Sequence, residues 1–358
     1  MRFSKWKKIL WRTAGSMLGG LLLTAGIAGA NEPERSMLVM TSTNSASGNE
    51  VDVFRLNLNG TPSLTLVNTL NTGGKGGAST NAGILQFADG FGAVANFGSN
   101  NVTQLIRYAD HIALGRTIDL ANGCTKPDSV ALKGEHLFVV GANCAETHAW
   151  PWGFVDGNVV KLSDPSAAQI AVGETWAAVT LSSGSLLQLP LSHDGTLNGT
   201  STAVTLPSNA NSVPLGEAFW ENVLGFTPAH SADSFALANE GGDISPIAGP
   251  TPAFPTNAPC WVAKGPRSVW YTGNSPGKAI AIFFTDGQSG VFYKNVPLPG
   301  TPFDITVTPD KKWLAVIYGA SGSAYVAVYA IDAFGDLTWV ATSSGVPATT
   351  FNGVAISQ

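Results

Sequence analysis

Charge is scarce in this chain. Asp, Glu, Lys and Arg together make up 12% of its 358 residues, about half the usual share. Three Cys and five His are present, and no His-Glu-x-x-His, P-loop, calcium-loop or Cys-x-x-Cys pattern occurs. The sequence therefore supports no metal, nucleotide or other cofactor site. Beyond the first 30 residues no apolar stretch is long enough to span a bilayer, and no long helical periodicity runs through the chain. What is abundant is apolar and aromatic mass: 44% hydrophobic residues, with 17 Phe and 10 Trp, beside 41 Gly. That is enough to build a large core and excludes disorder. A charge-poor, Gly-rich, Trp-rich chain points to many short strands joined by tight turns.

The N-terminus reads as an export signal. A basic segment, Met1 to Arg12, precedes an apolar run, Met17 to Ala30, that ends Ala28-Gly29-Ala30, an A-x-A cleavage site before Asn31. There is no Arg-Arg pair for twin-arginine export and no Cys at the cleavage site for lipidation. Residues 1–30 are thus expected to be removed and 31–358 to form one secreted or periplasmic domain. Arg2, Lys5, Lys7, Lys8 and Arg12 leave with the signal; 19 basic residues less these five is 14, against 24 acidic ones, a net charge of −10. That sign argues against nucleic acid and anionic membrane as partners.

Repeats decide the fold. A small or Pro residue, a short apolar strand, a turn, a second strand and a polar loop recur along the chain, most clearly in Thr301–Asp310 followed by Trp313–Tyr318. Equivalent starts lie at Asn81, Pro127, Ala167, Pro214, Pro259, Pro302 and Phe351, 40 to 49 residues apart. Units of that length with four short strands each are propeller blades, so the fold class is all-β, a seven-bladed β-propeller. The seventh blade is split. One strand after Phe351 ends the chain, and three strands (Ser36–Ser42, Glu50–Asn57, Ser63–Leu70) open the domain without a leading one. Pairing the C-terminal strand with the first N-terminal strand closes the ring and leaves no free sheet edge. In the second blade, Ala142–Gly153 reads as the longest loop and the outer strands stay unplaced.

The first strand of each blade lines the central channel. The face on which these strands begin is called the upper face here. The strand starts place Asn81, Asp128, Gln169, Glu217, Cys260, Asp304 and Asn352 at its mouth, with Trp261 able to plug it. Loop Ala142–Gly153 would bring His148, Trp150 and Trp152 to the same face, an aromatic platform suited to a sugar ring. Asp128, His148, Glu217 and Asp304 are the candidates for acid–base work. Gly273-Asn274-Ser275-Pro276-Gly277 matches G-x-S-x-G, but it falls between two strands and lacks the strand-to-helix elbow that chemistry needs.

The segments Ala258–Ala263, Tyr271–Asn274 and Gly73–Gly77 resemble the lactonase-like seven-bladed propellers, relatives of 6-phosphogluconolactonase and carboxymuconate cyclase. The resemblance implies lactone chemistry at the channel mouth, through His, Arg and Glu side chains and without a metal. The chain departs from that pattern. Arg55, Arg107, Arg116 and Arg267 read as lying on outer strands or a lower turn, Arg35 precedes the first strand, and only Lys75 and Lys126 stand near an otherwise acidic mouth. A phosphate or carboxylate ligand would want a guanidinium there. The expected ligand is therefore small and uncharged, a lactone or a sugar-like molecule. The alternative is a non-catalytic scaffold that binds a protein. A monomer is expected in either case.

The three Cys divide two and one. Strands 127–133 and 136–142 turn near Gly134, and positions 124 and 144 are each ten residues from it, opposite one another past the strand ends. Cys124 and Cys144 are thus expected to pair, which an exported protein permits, and Cys260 to remain a buried free thiol.

Overall fold

The computed structural model describes residues 36–79, 81–204, 206, 213–229, 235–241, 244–247, 258–347 and 350–358. Residues 1–30, expected to be an export signal, lie outside the described residues. Seven antiparallel sheets follow one another, six of four strands and one with a fifth short strand. Their inner strands are Leu85–Ala88, Pro127–Lys133, Ala167–Val172, Pro214–Trp220, Pro259–Lys264, Thr301–Val307 and Asn352–Ser357. Each packs beside the next and the last returns to the first, so the ring is closed. This is a seven-bladed β-propeller. Among the described residues no helix is long and apolar enough to cross a membrane; helix is limited to one 3₁₀ turn, Phe97–Ser99.

The seam forms as the strand pattern requires. Asn352–Ser357 pairs antiparallel with Met37–Ser42, with Val39 opposite Ile356 and Met40 opposite Ala355. Blade 7 therefore takes its inner strand from one end of the chain and its other three from the opposite end.

Alternation along a strand sends successive side chains to opposite faces of the sheet, and in a propeller both faces meet a neighbouring blade. Ala279–Thr285 in blade 5 shows the consequence. Ile280 and Ile282 join the cluster shared with blade 6 residues Leu314 and Val316, while Ala281 and Phe283 join Phe235 and Leu237 of blade 4. Strands buried on both faces read as continuous apolar runs, and each fully buried large side chain contributes roughly 1.5–3 kcal/mol.

Two expectations need correction. The inner strand of blade 1 begins at Leu85, four residues after Asn81, because residues 81–84 do something else, described below. In blade 2 the expected long loop contains a strand: Cys144–Ala149 pairs with His136–Gly141 on one side and Val155–Lys161 on the other. Its upper-face connection is only Ala142–Asn143. The Cys124–Cys144 disulfide is present, with Cα atoms 5.7 Å apart, and Cys260 is free and buried.

Candidate ligand channel

Among the described residues the upper mouth is closed. Asn81, Asp128, Gln169, Glu217, Cys260 and Asp304 are each at most 9% exposed, and Asn352 is half-buried. Residues 81–84 cross the opening and are stitched to three blades. Asn352 Nδ2 donates to Asn81 Oδ1 (2.6 Å), Asn81 Nδ2 donates to Asp128 O (2.8 Å), and Ala82 N donates to Ala168 O (3.1 Å). Val130 N donates to Gly83 O at 2.9 Å. Ala82 belongs to one apolar cluster with Leu215, Cys260 and Trp261. Among the described residues, the rim residues found in the sequence are thus brought together as a buried plug rather than an open mouth.

Below the plug the channel is a cavity of about 360 Å³. Gln169, Glu217 and Asp304 reach it from above, and Gln86, Leu132, Phe219, Lys264, Val307 and Lys311 line it toward the strand ends. The latter six are half-buried where the former three are buried, so the cavity opens on the lower face. Among the described residues this opening lies on the opposite side to the one the strand starts suggested.

Three buried carboxyls sit at the plug. Burial pushes Asp128 up to about 8, with Lys126 acting weakly against it, and pushes Asp304 up to about 7 against the pull of the Ile305 and Val354 amides. Those amides donate to Asp304 Oδ1 (2.8 Å) and Oδ2 (3.1 Å), the second from the closing strand of the seam. Burial raises Glu217 well above the carboxylate range. The amides of Thr180 and Ala171 lie close enough to soften that shift, yet neither Glu217 oxygen is engaged in a well-formed hydrogen bond. Its backbone is fixed by Gln169, which accepts from Glu217 N (2.7 Å) and donates to Glu217 O (3.0 Å). Glu217 is therefore held in place by its backbone, and burial favours the neutral form of its carboxyl.

The two lysines at the lower opening are largely committed. Lys264 Nζ donates to the carbonyls of Gly265, Arg267 and Val269 and sits over the rings of Trp220 and Trp270, 5.1 and 5.4 Å from their centroids. Burial and then the charge of Lys311 bring it down to about 8. Lys311 donates to Lys264 O at 3.1 Å. Arg55, Arg107, Arg116 and Arg267 lie outside the cavity lining. Sequence reasoning missed Phe219, Lys264 and Lys311 because it read strand starts. Their signal is positional, since each closes or follows an inner strand.

Blade 2 reaches the channel only through its inner strand. Strand Cys144–Ala149 runs from upper to lower face, so His148, Trp150 and Trp152 lie near the lower, outer part of the blade, with Ala149 opposite His136. His148 is fully buried against Glu146, Nε2 to Oε1 2.9 Å. Trp150 is a core residue packed edge-on against Phe91, and Trp152 is 60% exposed on the outer surface. They form no platform beside Glu217 or Asp304. Gly273 and Asn274 are strand residues and Ser275 begins a turn to the next strand, which leaves no nucleophile elbow.

No family model matches the chain, and no curated protein matches it in sequence. Solved structures do match. A proposed 6-phosphogluconolactonase from Bacteroides fragilis superposes with a TM-score of 0.64 at 13% identity, over 91% of this chain and 99% of that one. The fold is that of the lactonase-like propellers. A functionally unknown protein from Desulfotomaculum acetoxidans reaches 0.67 at 13% identity, over 89% and 98%. A catalytically inactive virginiamycin B lyase from Staphylococcus aureus, solved with quinupristin, reaches 0.56 at 13% identity, over 80% and 92%. At such identities the likeness extends to the lactonase-like architecture alone.

Proposed function

We propose that this lactonase-like propeller takes a small uncharged lactone, or a sugar-like molecule of similar size, into the channel from the lower face and hydrolyses the lactone there. The observation that carries the reading is Glu217: a buried residue in the lining of a 360 Å³ cavity, whose carboxyl oxygens make no well-formed hydrogen bond among the described residues. A buried polar group without a partner costs about 1–3 kcal/mol, and a ligand carbonyl or hydroxyl relieves that cost. In the proposed reaction Asp304 accepts a proton from water as the water oxygen adds to the lactone carbonyl carbon. Glu217 donates its proton to the carbonyl oxygen. Collapse returns that proton to Glu217, the ring C–O bond breaks, and the proton held by Asp304 passes to the departing ring oxygen. The net change is lactone plus water to hydroxy acid.

Glu217→Gln keeps the shape and hydrogen bonding but cannot transfer the proton. Hydrolysis of glucono-δ-lactone by a folded Glu217→Gln protein should fall by roughly 100-fold or more relative to wild type; an unchanged rate would remove Glu217 from the reaction. A non-catalytic scaffold is the second reading, favoured by the sealed upper mouth with Trp261 buried in it. It predicts ligand or protein binding with no turnover in wild type. We also read residues 1–30 as an export signal and the protein as secreted or periplasmic, in keeping with the disulfide. An exported protein whose intact mass still included Met1 would overturn this.

A further inference from the structure

A second constellation lies between blades 1 and 2, away from the channel. Positions 144, 146 and 148 share one face of the strand Cys144–Ala149 by its period of two. Cys144, Glu146 and His148 are each at most 1% exposed. The Sγ atoms of Cys124 and Cys144 are bonded to each other, and a carboxylate oxygen of Glu146 lies within 4.8 Å of both. Behind Glu146 stands a fixed outer layer. His148 Nε2 is 2.9 Å from Oε1, Ala121 N donates to Oε2 at 2.9 Å, and His148 Nδ1 is 3.0 Å from Gly153 O. As a device for stability this is a poor choice, because a buried carboxylate–imidazole pair is often no better than well-packed apolar residues. As a ligand set it is familiar chemistry: two thiolates and a carboxylate suit a tetrahedral zinc ion, and ligating groups are usually held by just such an outer layer.

We propose that, once the Cys124–Cys144 bond is reduced, Cys124, Cys144 and Glu146 form a zinc site, with water as the fourth ligand and His148 orienting Glu146. A dithiol reductant supplies two electrons and two protons; the S–S bond breaks and the reductant leaves as its own disulfide. Zinc then displaces the two thiol protons as it binds. Oxidation and metal are mutually exclusive, so the site is gated by redox state. Cys260 does not take part: it belongs to blade 5, and burial pushes its thiol up to about 12.

The test is a Co(II) titration of the full chain, reduced with a dithiol, desalted without oxygen, and followed by absorption. Reduced wild type should take up one equivalent with thiolate-to-cobalt charge transfer and tetrahedral d–d bands, lost on adding Zn(II), and the oxidised protein should show none. Cys144→Ser should abolish the charge-transfer signal and Cys260→Ser should leave it intact. Glu146→Gln and His148→Ala should each weaken uptake by roughly 10- to 100-fold. If Glu146→Gln fails to fold by circular dichroism, Cys124→Ser on the surface-proximal loop replaces it and should lose the signal. Absence of the bands in reduced wild type overturns the proposal. So does their persistence in Cys144→Ser or in Cys124→Ser, or undiminished affinity in a folded Glu146→Gln protein.

Discussion

Asp128 shows how one carboxyl couples folding to pH. Its value is raised from 3.8 to about 8 by burial, and Oδ1 has no partner. A carboxyl whose folded value is raised contributes stability that is complete below the unfolded value and is lost as pH rises through the folded one. Between about pH 4 and pH 8, Asp128 should therefore make the protein progressively less stable, and Asp304 should act the same way up to about 7. Asp128→Asn, which keeps the shape without the charge, should raise unfolding stability by on the order of a few kcal/mol at pH 8 and change little at pH 4. Denaturant unfolding of both proteins at the two pH values checks this; an equal difference at both would contradict it. The sequence placed Asp128, Glu217 and Asp304 correctly at inner-strand starts. It did not show them buried, because residues 81–84 read as the start of an inner strand, whereas that strand begins at Leu85 and these residues cross the mouth instead.

At the scale of elements, turns and links carry the information that strands do not. The Gly73–Gly77 loop is fastened to Asn44, with Asn44 Oδ1 accepting from Gly77 N (2.9 Å) and Ala78 N (3.1 Å). A Cβ on Gly76 would stand 2.3 Å from the Asn44 carbonyl carbon. Gly76→Ala must therefore displace the loop, and thermal unfolding should register a loss of about 1–3 kcal/mol; a neutral outcome would mean the loop yields freely. The disulfide closes a 20-residue separation. Replacing both Cys124 and Cys144 with Ala should cost about 3 kcal/mol in the chain-entropy model. Unreduced, denatured wild type should show one titratable thiol, Cys260, and three would refute the bond. The pairing was legible because a hairpin turning at Gly134 fixes what lies opposite what. The strand beside it was not. Cys144-Ala145-Glu146-Thr147-His148-Ala149 buries an acid and a histidine against each other, and that mutual satisfaction erases the apolar alternation by which strands are recognised.

For the whole molecule, the 40–49-residue spacing and the two incomplete ends made the ring and its closure readable in advance. Which end of the ring opens to the cavity was not readable, since strand starts and strand ends look alike until the plug is seen. The account rests on an uncharged ligand meeting Glu217 from the lower opening. That opening carries Lys264 and Lys311, but Lys264 is spent on three carbonyls and two Trp rings. Among the described residues no Arg lines the cavity, and phosphate recognition favours bidentate donors of that kind. The most direct measurement is a paired hydrolysis assay of wild-type protein on glucono-δ-lactone and 6-phosphogluconolactone at equal concentration. The account predicts faster turnover of the unphosphorylated lactone. Turnover of neither, or faster turnover of the phosphorylated one, would contradict it.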